Sequence, residues 1–578
     1  MTSLGTRGRR DARRLRDAAA LALAVSLVVA ACGTESVTSP GLNGTPGSES
    51  SAPSAPSGPT TDTSVLVAAV SSLGTQNFAP WLSSAENYII TTHVGDQLVM
   101  QDPVTGELKP GLAESWSLSD DLTTWTFKLR PGVPFHDGWG TVTSEDVKFS
   151  WEMHIREESA HSITNRPMRF AVDENMDNFE IVNDLEFRVR TTTPVVNLDL
   201  VMANLIPGMV VQSKAYFEAE PEQALVHPLG TGPFKFVSST QGVEVILEAT
   251  ESHPFRPVSA FTQLIIRAIE DDAARLAQAQ TGDIDIALIG ANLVGEAQSA
   301  GLEIIAAPEI GNCSLTLGGY YPGTPALDED SPWIQATEPA KGKAIREAMS
   351  LAIDRQAVLD RIMGGYGALS HGPIINYPDN PRLVDPSWTV PPYDPELARQ
   401  KLAEGGYPDG FPVTMKLFTQ LGTRTIEMGE AVAGFWEAIG ITVTRERTDQ
   451  TQMRPHFQAS NDPEGNSQTD GWAWFFCSPH QPSPELALGN AWRPEGNNKQ
   501  AFSPAISEAY PRMLAEPNDD VRYEMAREVI QALRDDVHPI NVLVFHQAWG
   551  ISDKVGEWHP LPGLDRLNSL ETVTPRNP

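Results

Sequence analysis

The stretch Thr124-Trp125-Thr126-Phe127-Lys128-Leu129-Arg130, followed by Gly132-Val133-Pro134-Phe135-His136-Asp137-Gly138 and then Thr143-Ser144-Glu145-Asp146-Val147, decides how the chain folds. Residues 125–129 alternate apolar and polar side chains, the period-two pattern of a half-buried strand. The glycine-bounded segment that follows predicts a turn and a second short strand. Thr143 with Asp146 three positions later predicts a capped helix entering Val147 and Trp151. Strand, turn and capped helix in one short run indicate a mixed α/β scaffold, in which Trp116 and Trp125 belong to the core.

The same mixture continues outward. Val65 to Val70 is a short apolar run consistent with a buried strand, and Val243 to Leu247 reads similarly. Ala344, Ile345, Ala348, Met349, Ala352, Ile353, Leu359 and Met363 form a helical apolar stripe that Gly364-Gly365 stops. Asp394-Pro395 is a cap with a first-turn proline, and Gly405-Gly406 ends that helix after Leu402. Strands and helices are interleaved over the whole length and no internal repeat is visible, so neither an all-α nor an all-β class fits.

The length of 578 residues exceeds what one core supports and calls for two or more lobes. With 40% hydrophobic residues the bulk can fold. The net charge of −32 argues against nucleic acid as the main partner, because phosphates would be repelled. Three cysteines (Cys32, Cys313, Cys477) exclude a disulfide scaffold. No apolar run reaches the ~20 residues of a membrane span.

Catalytic and cofactor motifs are absent. There is no phosphate-cradling G-x-x-x-x-G-K-[ST], no H-E-x-x-H and no G-x-S-x-G elbow. Cys477 and His480 have C-x-x-H spacing without a second pair to complete a zinc site, so no metal and no cofactor are expected. Cys477 is left as a free thiol or as one that pairs with Cys313 in an oxidising compartment. Gly230-Thr231-Gly232-Pro233 reads as a structural turn, since Pro233 removes a donor.

At the N-terminus, Arg7, Arg9, Arg10, Arg13, Arg14 and Arg16 precede a 14-residue run, Ala18 to Ala31, in which Ser26 is the one polar residue. That is the length of a signal peptide. The run ends Val29-Ala30-Ala31-Cys32-Gly33 and resembles a bacterial lipoprotein box, which implies cleavage after residue 31 and lipidation of Cys32. Of the 31 residues 33–63, 23 are Gly, Ser, Pro or Thr, too polar to bury a core. Residues 32–63 are therefore expected to be a flexible tether about 30 Å in r.m.s. reach.

Several long motifs in one order are similar to the solute-binding proteins of peptide, oligopeptide and nickel-type ABC importers, the family 5 extracellular solute-binding proteins. They are Leu108-Lys109-Pro110-Gly111-Leu112-Ala113-Glu114-Ser115-Trp116, the 125–147 run quoted above, and His227-Pro228-Leu229-Gly230-Thr231-Gly232-Pro233-Phe234-Lys235-Phe236. Ala344 to Arg355 and the 393–408 helix and turn continue the match. The resemblance covers residues 64 to 578. It implies a periplasmic-binding-protein-like type II fold with two large lobes and a small inserted domain. Lobe I would comprise 64–102, 228–310 and 546–578, the small domain 103–227, and lobe II 311–545. It also implies no enzyme activity.

The implied role is the substrate-binding component of an importer: a monomer, exported and lipid-anchored, facing the periplasm or the cell exterior. It would hand peptides or a related small solute to permease subunits served by a separate ATPase. Oligosaccharide binding within the family and a cell-surface hydrolase stand as alternatives. By the same resemblance, ligand contacts fall on Leu73 and Thr75 in the segment 72–76, and on Gly471, Trp472, Ala473, Trp474 and Phe475. The family's aspartate for a peptide's amino terminus falls on Phe475, which argues against free-amine di- and tripeptides, because a buried ammonium without a carboxylate is costly. As a strand, 472–475 would place Trp472 and Trp474 on one face and Ala473 and Phe475 on the other.

Overall fold

The computed structural model of the protein describes residues 63–81, 86–103, 105, 107–156, 176–203, 209–373, 382–419, 424–458, 468–479, 483–489, 492–494, 500–561 and 566–576. The expected signal peptide, Cys32 and nearly all of the tether lie outside the described residues, as does His480.

The run 124–147 forms largely as its pattern dictates. Thr124–Leu129 is a strand with Trp125, Phe127 and Leu129 buried. It pairs on one side with Ala113–Leu118 and on the other with Glu186–Arg190, which Phe179–Asn183 flanks, making a four-stranded antiparallel sheet. The expected second short strand is reduced to one bridge, Pro134 to Thr141, because residues 136–138 close into a helical turn. Ser144–Ile155 follows as a helix; the Thr143 N–H donates to Asp146 Oδ2 at 2.9 Å, as a capping box requires. Trp151 seats against Phe179 in this unit's own core.

The principal sheet runs in the order Thr442–Thr448, Pro412–Phe418, Trp472–Pro479, Glu303–Leu317, Ile540–Ile551, Ile286–Ile289, Val65–Val70, Gln263–Ala268, Glu244–Ala249, Phe234–Thr240, with Gly367–Ala368 pairing Ile540–Ile551 off this path. Its two halves bury separate cores. Leu66, Ala68, Val70, Leu264 and Trp549 pack in one; Leu315, Leu317, Met415, Leu417 and Phe475 pack in the other. The long strands Glu303–Leu317 and Ile540–Ile551 run from one core into the other and pair with each other. Their register shifts between Ala307 and Gly311, a bulge at the crossing, where a bulge bends and twists a strand.

The apolar stripe of 344–363 forms two helices, Pro339–Leu351 and Arg355–Arg361. The periodicity is right but the chain breaks at Asp354, whose carboxylate accepts the Ala357 N–H at 2.9 Å and starts a new helix. Gly364 and Gly365, at φ +60° and +80°, end it as expected. Pro395–Glu404 begins with Asp394 accepting the Leu397 N–H at 2.9 Å.

Candidate functional site

The strand Val65–Val70 lies centrally in its half of the sheet, and residues 71–77 leave from its carboxyl end. In open α/β sheets such ends are where ligands bind. The segment is held firmly. Asn87, fully buried, accepts the Gln76 N–H at 3.1 Å and donates to the Asn77 carbonyl at 2.7 Å. Gln76 sits at φ +49° and its side-chain oxygen accepts the Gly242 N–H at 2.6 Å. Leu73 points into the core beside Phe78 and Trp549, whereas Thr75 is exposed, with its carbonyl taken by Gln241 Nε2 at 3.0 Å.

The aromatic strand Trp472–Pro479 begins at Gly471, whose φ of +72° suits glycine. The side chains alternate as a strand must. Trp474 packs with Phe418, Met453 and Phe457 under the helix Gln450–Gln458, and half-buried Trp472 and Phe476 adjoin them. Lys416 Nζ lies 3.7 Å from the Trp472 ring centre and pairs with Glu446. On the opposite face Ala473, Phe475 and Cys477 enter the large core. Ala473, Trp474 and Phe475 are each 0% exposed. Of the five predicted residues in this strand and its approach, Gly471 and Trp472 alone retain accessible surface.

Backbone pairing divides this strand in two. Residues 472–475 pair in parallel with 414–417. Residues 473–479 pair antiparallel with 311–317, and the Trp472 carbonyl accepts the Gly318 N–H at 2.7 Å. Both edges of 472–475 are therefore occupied. The Pro412–Phe418 strand pairs no further than Phe475, so among the described residues one edge of 476–479 carries no strand. That edge is at the carboxyl end of the strand, where Pro479 faces Gly311 beside the bulge. Sequence pattern cannot reveal this, because it depends on where a distant strand stops.

The crossing strand adds polar groups that sequence reading missed. Gln547 (7% exposed) and Trp549 (1%) lie on one face of Ile540–Ile551, and Gln547 opposes Ala307 at the bulge. Among the described residues Gln547 Oε1 and Trp549 Nε1 have no hydrogen-bond partner, nor has Gln76 Nε2. Such shortfalls are rare in native interiors.

Cys313 and Cys477 stand opposite each other in the antiparallel ladder and form a disulfide with Cα atoms 4.0 Å apart. This resolves the alternatives left open for Cys477. Among the described residues no group of three or more His, Cys, Asp or Glu could hold a metal ion, and no helix is long and apolar enough to cross a membrane.

One buried charge cluster elsewhere is well paired. Asp96 accepts from His253 at 2.9 Å, from Arg256 at 3.0 Å and from Thr231 at 2.7 Å. Burial opposes its charge, but the His253 and Arg256 contacts prevail and hold the carboxyl down to about 2. Arg256 also bonds Glu571, so the cluster ties the 93–96 segment to the C-terminal segment and reads as scaffold.

Residues 107–491 match the family model described as bacterial extracellular solute-binding proteins, family 5 Middle. The chain is 28% identical over 309 residues to the glutathione-binding protein GsiB of Pectobacterium atrosepticum, covering 53% of this chain and 54% of that relative. The match thus spans about half that relative's length. It is 24% identical over 435 residues to heme-binding protein A of Haemophilus influenzae, covering 70% of this chain and 73% of that protein. The solved structure of the ABC transporter-associated periplasmic binding protein DppA from Helicobacter pylori, in complex with peptide STSA, superposes with TM-score 0.71. Identity there is 19%, covering 89% of this chain and 98% of that one.

Proposed function

The chain belongs to the bacterial extracellular solute-binding proteins of family 5, and from that membership we propose that it is the substrate-binding component of an ABC importer for peptides or a chemically related small solute. It captures the solute outside the cytoplasm, closes around it without altering its bonds, and delivers it to permease subunits driven by a separate ATPase. The observation that carries this reading is the family match over residues 107–491. The separate cores joined by two long strands support lobes at 64–102 with 228–310 and 546–578, at 103–227, and at 311–545, with the hinge at the bulge between Ala307 and Gly311. Cys32, at the end of its short apolar run, would carry the lipid that keeps the protein at the membrane.

The solute sits between the 72–77 segment and the carboxyl end of Trp472–Pro479. Opening exposes Gln547 Oε1 at the crossing, and closure on a solute supplies a partner for it. Gly471 and Trp472 border the site, whereas Ala473, Trp474 and Phe475 support it from within. The test is mass spectrometry of solute co-purifying with the protein, with thermal-shift screening of peptides and oligosaccharides. A binder is stabilised by its ligand and leaves it intact. Turnover of the compound, or no stabilisation by either class and no co-purifying solute, would overturn the reading.

A further inference from the structure

The four-stranded unit is inserted in the first half of the chain, yet it also touches helices of the second half. The Val196 N–H donates to the Leu514 carbonyl at 3.0 Å. Asn197 Nδ2 donates to Glu485 Oε1 at 2.5 Å, and Leu486 enters the core of the four-stranded unit. The chain thereby closes a ring: four-stranded unit, first half of the principal sheet, second half, and back. Movement at the crossing strands must either break this contact or be blocked by it.

We propose that the contact of residues 195–199 with the helices Pro484–Gly489, Pro504–Ala515 and Asp519–Asp536 is a latch that makes and breaks with the hinge, and that Glu485 takes up a proton when it forms. The proposal rests on the hinged reading above. Its basis is the pairing chemistry of an amide with a carboxyl group. A carboxylate and an amide share one hydrogen bond; a carboxylic acid and an amide share two, N–H to O and O–H to O. Here the first bond is made. The atoms without partners among the described residues, Glu485 Oε2 and Asn197 Oδ1, are those the second bond uses. A single proton on Oε2 satisfies both.

The surroundings favour the acid form. Glu485 is 0% exposed and Asn197 4%. The nearest cation, Arg522, has its Nε 3.9 Å away, held off by Asp519 and by the Glu516 carbonyl at 2.6 Å. Asp199, two residues on from Asn197, accepts from Trp116 Nε1 at 3.1 Å, and burial pushes its carboxyl up as well. Tyr523 lies under Arg382, which bonds Asp520 at 2.9 Å and so is partly spent. Burial pushes the Glu485 carboxyl up, and its own backbone N–H, Arg522, Ser483 and Asn197 offset this only in part. The closed contact therefore holds a proton that the open one releases, so raising the pH favours opening.

The experiment needs no ligand, so its failure is separate from failure of the importer reading. Amide hydrogen exchange of peptides covering 194–203 and 483–489 is followed in the full chain between about pH 5 and 8, corrected for intrinsic rates. Protection of both peptides should fall together as pH rises, by up to about tenfold per pH unit while Glu485 titrates. Glu485→Gln offers the same two-bond pairing at every pH and should keep the acid-level protection throughout. Should that variant not fold, Glu485→Met, which has no titrating group, must abolish the pH dependence instead. Wild-type protection independent of pH, or a variant that follows the wild-type profile, overturns the proposal.

Discussion

Phe475 is the position at which family resemblance and tertiary structure make opposed predictions. If it faced the ligand, Phe475→Asp would restore a carboxylate for a peptide's amino terminus and raise affinity for free-amine peptides. In the structure the ring is 0% exposed, its backbone is flanked by Leu315 and Leu417, and the Thr425–Ala438 helix sits over it. A Cβ added at Gly429 would lie 3.6 Å from the Phe475 Cβ, so the helix rests directly on this side chain and leaves no water beside it. Truncation of such a ring costs about 3–5 kcal/mol. An unpaired carboxylate in the same place adds several kcal/mol, or forces the group to stay protonated. The sum approaches the whole stability of a typical domain, about 5–15 kcal/mol.

Phe475→Asp should therefore yield little folded protein and no gain in peptide affinity. Phe475→Leu, which keeps the site apolar, should fold with a lowered melting temperature and unchanged ligand response. Circular dichroism melts and calorimetric titration with a free-amine tripeptide decide it. A folded Phe475→Asp protein with wild-type melting temperature and new tripeptide affinity would refute the packing argument.

The Cys313–Cys477 disulfide closes 164 residues of chain, for which loop entropy gives about 5 kcal/mol; Cys477→Ser, or reductant on the wild type, should lower the melting temperature markedly, and equal melts would argue against the bond. Asn87→Ala should leave the Gln76 N–H and the Asn77 carbonyl without their partner at about 1–3 kcal/mol each, with exchange protection of residues 72–77 lost first. His93 is buried with Nδ1 bonded to the Ile89 carbonyl at 2.6 Å and Nε2 accepting the Leu570 N–H at 3.3 Å, a neutral tautomer fixed by both neighbours. Burial lowers it from 6.5 to about 4, so the unfolded chain binds the proton first; stability is complete above about pH 6.5 and falls as pH drops towards 4, by about 3 kcal/mol from this group. Denaturant midpoints at pH 7, 5.5 and 4 measure the slope, to which His538, held neutral by burial with Nε2 accepting the Leu317 N–H, contributes in the same direction. A flat profile over that interval would contradict the assignment.

Local elements were legible because their causes are local. Alternation set Thr124–Leu129, a capping box set Ser144–Ile155, and Asp394-Pro395 set the start of Pro395–Glu404. The break between Pro339–Leu351 and Arg355–Arg361 was missed because apolar periodicity carries through Asp354, and only the cap bond to Ala357 reveals the interruption. The alternation of 472–475 was readable, but not that a helix covers one face and a second core the other.

What the residues by themselves determined is therefore the class: a mixed α/β scaffold whose ordered motifs match one family, without a G-x-x-x-x-G-K-[ST], H-E-x-x-H or G-x-S-x-G motif. Which edges of the 471–479 strand other strands fill was decided by the tertiary structure. A strand's side chains alternate according to its own sequence, but its edges are filled by strands distant in the chain. Pro412–Phe418 stops pairing at Phe475, and that leaves 476–479, rather than 471–475, with an edge no described strand occupies. The pairing of Cys313 with Cys477 likewise follows from register, since two cysteines 164 positions apart carry no local signal that they stand opposite each other.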